Sequence, residues 1–195
     1  MYKEIEYRVI EEVDDQGRLA RRVWRDPETN FPHHIDGPAV QSFDLETGDP
    51  EGEIWIDRSR GGRHRPDNLP AETSIDVATG VIKVELYYRD GHLHRDDGGP
   101  AEINRDPETG RVVVAAYHLE GKLHRENGQP AVQEFDAETG RVTLEEYHRN
   151  GLLHRDEGPA IVSYDSAGNV IDAAARYYQQ GQKIDRDASP DPGIP

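Results

Sequence analysis

The sequence predicts an all-β protein whose tandem β-hairpin repeats form an elongated, twisted antiparallel sheet or solenoid. Three observations predict it. His34, His64, His94, His124 and His154 fall at intervals of thirty, and Arg65, Arg95, Arg125 and Arg155 directly follow four of them. A fixed period of this size marks a repeat architecture. Between the punctuating residues the chain alternates apolar and polar with period two, and no eleven-residue window offers the i, i+3, i+4, i+7 apolar spacing of a helix.

The units run near 7–37, 38–69, 70–99, 100–129, 130–158 and 159–187, as a single repeat domain. In the first unit Asp14-Asp15-Gln16-Gly17 leads to Trp24, so the array starts near Tyr7 with half of its motif missing. Each later unit opens on a Pro-Ala step: Pro38-Ala39, Pro70-Ala71, Pro100-Ala101, Pro130-Ala131 and Pro159-Ala160. Proline cannot donate to a ladder and so marks where a strand begins. Asp-x-x-Thr-Gly follows at 44–48, 76–80, 106–110 and 136–140, with Asp165-Ser166-Ala167-Gly168 as a shortened form. Asp can bond nearby backbone and Gly supplies φ > 0, which is hairpin-turn chemistry. Seven residues after each turn glycine stands Trp55, Tyr87, Tyr117 or Tyr147, and the last unit inserts two residues before Tyr177. Terminal units that depart from the consensus are what capping repeats look like.

Alternation sets Ile82, Val84 and Leu86 on one side of a strand, with Lys83 and Glu85 on the other. Val112, Val114 and Ala116 repeat the arrangement, and Val142 and Leu144 follow it. The residues Asp49-Pro50-Glu51-Gly52 are expected to insert two positions as a bulged corner. The other connection in each unit, Asn/Asp-Gly, Leu-His-Arg, two polar residues and Gly-Pro, reads as a longer loop. The tail 188–195 has no apolar pattern and is expected to be disordered.

At 34% hydrophobic and 32% charged residues, the chain suits a thin core spread along a sheet rather than one thick centre. Its formal charge of −16 repels phosphate backbones and anionic lipid, so neither nucleic acid nor membrane is an expected partner. A basic protein is the natural complement. The absence of cysteine suits a reducing cytoplasm, and the charged start Met1-Tyr2-Lys3-Glu4-Ile5-Glu6 shows no signal or spanning segment, so a soluble cytoplasmic protein is expected.

Histidines in register invite a metal, but geometry opposes one. With two strands of one sheet per unit, equivalent positions lie roughly 10 Å apart, whereas ligands of one zinc sit about 2 Å from it. Only neighbours such as His33 with His34 or His92 with His94 could converge. The expectation is therefore no metal and no cofactor. His34, His64, His94, His124 and His154 are expected to hold the long loop by hydrogen bonds, with Arg65, Arg95, Arg125 and Arg155 capping carbonyls or pairing with carboxylates. The aromatic series Trp24, Trp55, Tyr87, Tyr117, Tyr147 and Tyr177 is expected to pack between units. No Gly-x-Ser-x-Gly elbow, phosphate loop or His-Glu-x-x-His occurs, so no catalytic residues and no enzyme activity are expected.

Units centred on Tyr-x-x-x-Gly, as in Tyr87-Tyr88-Arg89-Asp90-Gly91, Tyr117-His118-Leu119-Glu120-Gly121 and Tyr147-His148-Arg149-Asn150-Gly151, resemble the MORN-like repeats of bacterial proteins, including the YwqK-type antitoxin family. The likeness spans about 38–181, with a longer unit of about thirty residues in place of about two dozen and an added His-Arg loop. The resemblance implies an extended sheet that works by contact, often as the immunity or antitoxin partner of a toxin. Together with the charge, it leads to an expected immunity or antitoxin protein that occludes a basic toxin. A general scaffold or phage-type interaction module is the alternative, and ligand or metal binding by loop histidines a second. Alternation puts Glu85, Tyr88, Glu102, Glu134, Glu145, Glu146 and Tyr178 forward as partner-binding residues on a broad face.

Overall fold

The computed structural model describes residues 6–185; the tail expected to be disordered lies outside them. The molecule is all-β, built on an 11-stranded sheet that does not close into a barrel. Its strands lie in sequence order, each antiparallel to the next: Arg8–Val13, Leu19–Arg25, Val40–Phe43, Pro50–Ile54, Glu72–Ile75, Ile82–Leu86, Glu102–Arg105, Val112–Ala116, Val132–Phe135, Val142–Glu146 and Ile161–Ser163. Among the described residues the only helical turns are two short 3₁₀ segments, Arg58–Arg60 and Asp172–Ala174.

The Asp-x-x-Thr-Gly segments join the strands as expected. In the turn at 106–110 the Asp106 carboxylate accepts the Thr109 N–H at 2.8 Å and its hydroxyl at 2.9 Å, while the Gly110 N–H donates to the Asp106 carbonyl at 2.9 Å. Gly110 sits at φ 69°, a conformation that a Cβ would strain. The first unit uses the same chemistry a second time, because Asp26-Pro27-Glu28-Thr29-Asn30 closes with Asn30 at φ 59° in place of glycine.

These bonds hold the turn aspartates below the usual carboxylate range. The Thr hydroxyl is the largest cause at Asp26, Asp76 and Asp136, and the Thr backbone N–H at Asp44 and Asp106. A folded pKa below the unfolded value of about 3.9 gives stability that is present above that pH and lost as the pH falls through the folded value. The denaturation midpoint should therefore drop as the pH falls below about 4. Asp106→Asn with Asp136→Asn, which keep an acceptor but cannot titrate, should flatten that limb.

Each hairpin also carries a β-bulge, with register shifts at Ser42/Phe43, Ser74/Ile75, Asn104/Arg105 and Glu134/Phe135. This corrects the expected alternation. Val114 lies opposite Asn104 but Val112 lies opposite Arg105, so the extra residue Val113 carries Val112 to the other face. There it packs against Tyr87, Ala101 and Ile103. Ile82 and Val142 cross over in the same way, opposite Ile75 and Phe135. The stretch 49–52 does carry a bulge, at Glu51, but it is the same bulge as in the other hairpins and does not insert two positions. The two added residues of that unit lie instead in its small hairpin, where the Arg58–Arg60 turn separates Asp57 from Gly62.

One face of the sheet is the better packed. Ala39, Ala71, Ala101, Ala131 and Ala160 are all 0% exposed and, with Tyr87, Ile103, Tyr147 and Val162, form a thin core spread along the array. Tyr87 is covered by Ala101 and Ile103 of the following unit, and Tyr147 by Ala160 and Val162, so these two of the six aromatics pack between units. Side chains two apart on a strand share a face, which makes this column of alanines and aromatics one continuous surface.

Candidate functional site

The connection read from sequence as a long loop holds a second, smaller hairpin. Tyr88–Arg89 pairs with His92–Leu93, His118–Leu119 with Lys122–Leu123, His148–Arg149 with Leu152–Leu153, and Tyr177–Gln179 with Gln182–Ile184. Both turn residues of each have positive φ, as at Asn150 (53°) and Gly151 (86°), the geometry that favours Asp-Gly and Asn-Gly. The small hairpins stack. The N–H of Gly91, Gly121, Gly151 and Gly181 donates to the carbonyl of Arg63, Leu93, Leu123 and Leu153 in the preceding unit, at 3.1, 2.9, 2.8 and 2.9 Å.

The histidines lock this stack. Nδ1 of His124 accepts the Asn150 N–H at 3.1 Å, and Nδ1 of His154 accepts the Gln180 N–H at 3.1 Å; His94 meets the Glu120 N–H more loosely, at 3.5 Å. Accepting at Nδ1 fixes the tautomer, so the ring proton sits on Nε2 and points at the carboxylate two residues on: Asp96 at 3.3 Å, Glu126 at 2.9 Å and Asp156 at 2.8 Å. In the first two histidine loops the ladder is broken, and Nδ1 of His34 and His64 is buried without a partner. His34 packs instead on Tyr7 and Trp24, with ring centroids 4.8 and 5.6 Å away.

The arginines cap carbonyls. Arg65, Arg95, Arg125 and Arg155 donate to the carbonyls of Pro70, Pro100, Pro130 and Pro159 at 3.3, 3.5, 3.2 and 3.1 Å. Each guanidinium also sits over the aromatic ring of its unit: Arg65 on Trp55 at 4.1 Å, Arg95 on Tyr87 at 4.0 Å, Arg125 on Tyr117 and Arg155 on Tyr147 at 3.7 Å. Arg65 and Arg95 additionally meet Glu53 and Asp97 at 3.1 Å. Arg95 thus pairs with a carboxylate that follows it, whereas among the described residues Arg65, Arg125 and Arg155 make no ion pair with the residues just after them.

Those next residues make the exposed feature of this edge. Asp36, Asp67, Asp96, Asp97, Glu126, Asp156 and Glu157 are all exposed and recur unit by unit. Glu126 and Asp156 keep 78% and 68% of their side-chain surface in water. Asp97 is held below the usual carboxylate range chiefly by the Gly99 N–H, and Asp156 by hydrogen bonds from Arg149 and then His154. Hollows open between adjacent loops. One of about 340 Å³ is lined by His124, Glu126, Gln129, Arg149, His154 and Asp156, and a wider one of about 750 Å³ by His33, His34, Trp55, Asp57, His64 and Pro66.

The residues put forward from sequence do not share one surface. Glu85 lies opposite Ile103 and Glu145 opposite Gln133, which places both on the alanine face. Glu102, Glu134 and Glu146 lie on the other face, opposite Ala116, Leu144 and Val132. Of the five only Glu134 is exposed. Glu85 is tied to Arg105 at 2.8 Å, Glu102 accepts from Asn104 at 3.1 Å, and Glu146 meets His148 at 3.0 Å. Tyr88 lies half-buried beside Arg63, 5.5 Å from its guanidinium, and Tyr178 packs on the Tyr147 cluster. Sequence reasoning passed over the loop-edge carboxylates, although their thirty-residue recurrence was there to be counted.

Glu145 has a structural setting. It accepts hydrogen bonds from Gln133 at 3.1 Å, Tyr147 at 3.0 Å and Tyr164 at 2.8 Å. Burial, then the bond to Glu145, push the Tyr164 phenol up to about 12. Because the unfolded phenol ionises near pH 10, the folded state favours its neutral form, and this contribution is present below about pH 10 and lost as the pH rises toward 12. Ultraviolet titration of Glu145→Gln against the wild type should show a tyrosine ionising at lower pH in the variant.

Among the described residues no group of three or more histidines and carboxylates comes together to hold a metal ion, and no helix is long and apolar enough to cross a membrane. No family model, curated protein or solved structure matches the chain.

Proposed function

We propose that this protein acts by contact rather than catalysis, as an acidic repeat module whose loop edge docks a basic protein, in the manner of an immunity or antitoxin protein that covers a cognate toxin. The observation that carries the reading is the loop edge itself: exposed carboxylates repeated along one rim at roughly 10 Å intervals, with hollows between them. Such a rim offers lysines or arginines on a partner a series of acceptors, and the net charge of −16 speeds the encounter. The acceptors are chiefly Asp36, Asp67, Glu126 and Glu157, since Asp96, Asp97 and Asp156 already meet Arg89, Arg95 and Arg149. The rigid stacking beneath the loops keeps the rim preorganised, which lowers the entropy lost on docking.

Co-expression with the product of the adjacent gene tests the reading. A basic neighbour should co-purify, have its toxicity suppressed, and dissociate as salt is raised. Asp67→Lys, Glu126→Lys and Glu157→Lys together should abolish the complex, whereas Glu108→Lys with Glu138→Lys, on the opposite edge of the sheet, should leave it intact. Equal loss from both sets, or a partner that binds independently of salt, would refute the assignment.

A further inference from the structure

The two ends of the long sheet are finished differently. At the C-terminal end Ile161 exchanges backbone hydrogen bonds with Arg176 at 3.0 and 3.1 Å, and the Ser163 carbonyl accepts the Ile171 N–H at 2.9 Å, so a returning segment covers the edge. At the other end no described strand lies outside Arg8–Val13. This strand is exposed at every position except Ile10, and its Val9 and Val13 keep 48% and 56% of their surface.

Its backbone has a defined outward register. Trp24, opposite Val9, donates its N–H to Ala39 and receives the His33 N–H on its carbonyl, each at 2.9 Å, both away from the first strand. The Val9–Trp24 pair is therefore of the non-hydrogen-bonded kind. By alternation, the N–H and C=O of Val9 and Glu11 point outward from the sheet. Arg8, Ile10 and Glu12 share one face, opposite Arg25, Val23 and Arg21. Arg8 thus stands across from a like charge and makes no ion pair among the described residues, while Glu12 reaches Arg21 only at 3.8 Å.

We propose that two copies of this chain join edge to edge through Arg8–Glu12, antiparallel about Ile10, to form one continuous sheet. In that register Val9 and Glu11 of one copy exchange N–H···O bonds with Glu11 and Val9 of the other. Ile10 meets Ile10, and each Arg8 faces the other copy's Glu12 in a close, non-hydrogen-bonded pair. The order cation, apolar, anion is its own complement when read backwards, which is what a two-fold interface requires. An unrelated strand would satisfy the backbone but not that order. The bulge at Glu12/Val13 bounds the pairing. A contact this short belongs with weak interfaces, so the dimer should form in the micromolar to millimolar range.

Sedimentation velocity from about 10 μM to about 1 mM tests the proposal. The wild type should move from monomer to dimer. Val9→Pro removes an N–H that the intrachain ladder does not use, and should remain monomeric with an unchanged thermal melt. Arg8→Glu, which gains Arg25 as an intrachain partner, should weaken association by about tenfold or more, and Arg8→Glu with Glu12→Arg should restore it. If Val9→Pro disturbs the melt, the charge pair decides alone. A wild type that stays monomeric throughout, with Arg8 and Glu12 then acting as edge blockers, would overturn the proposal. So would a dimer indifferent to the Arg8 variants.

Discussion

Tyr147→Ala should lower the free energy of unfolding by about 3–5 kcal/mol, the range for deleting a large buried aromatic side chain. Tyr147 is 7% exposed and packed against Ala160 and Val162 of the next unit. Its loss also takes a donor from Glu145 and the ring on which Arg155 lies. Because stability in a linear array is a sum of unit and neighbour-interface terms, the damage should be local. The C-terminal unit from Ala160 onward should uncouple first, giving a broadened or two-step melt. Tyr117→Ala is the internal comparison. Tyr117 is only half-buried, and Ala115 stands where the other strands carry Glu85 or Glu145, so its removal should cost less and leave the melt sharper. Chemical denaturation followed by tryptophan fluorescence and by far-ultraviolet dichroism would measure both.

Ala131→Phe should destabilise by at least the upper part of the about 1–3 kcal/mol typical of overpacking. Ala131 is 0% exposed, donates its N–H to the Glu146 carbonyl at 2.8 Å and accepts the Tyr117 N–H at 2.7 Å. Its backbone is therefore pinned on both sides and cannot retreat from a larger side chain. The same alanine recurs in the five later units with no surface left in water, so a methyl group is the size that lets one unit close on the next. Glu134→Leu, three residues away on the open face, should stay within about 0.5 kcal/mol of the wild type. Similar losses from the two would contradict the assignment of faces.

Local chemistry was readable in the sequence, and chemistry made by pairing was not. The Asp-x-x-Thr-Gly turns could be assigned because every interaction in them lies within five residues, and the Pro-Ala steps because proline has no N–H. The small hairpins left only a partial trace. Asp90-Gly91 and Asn150-Gly151 are strong hairpin signals, but arms of two residues carry no alternation to support them. The bulges left none, since the crossing of Ile82 and Val112 depends on which partner residue each meets. The role of His124 and His154 was half legible. Their spacing marked them as structural, but the amides they accept lie 26 residues on and become neighbours only when the small hairpins stack. Glu145 was misplaced as solvent-facing because its partners Gln133 and Tyr164 come from one adjoining strand and from the residue just past the end of the other. The loop-edge carboxylates were hidden by the general acidity of the chain, from which only their exposure and register separate them.

The claim beneath all of this is that each unit is fastened to the next through its small hairpin. Amide hydrogen exchange resolved by NMR addresses it most directly. Asn150 and Gln180 occupy the tips of two-residue turns, where a free-standing hairpin would leave the N–H open to water, yet here each donates to a histidine of the preceding unit. Asp90 occupies the equivalent tip, and the histidine before it, His64, has no partner at Nδ1. The expected result is strong protection at Asn150 and Gln180 with fast exchange at Asp90. Equally fast exchange at all three tips would mean that the units do not hold one another in this way.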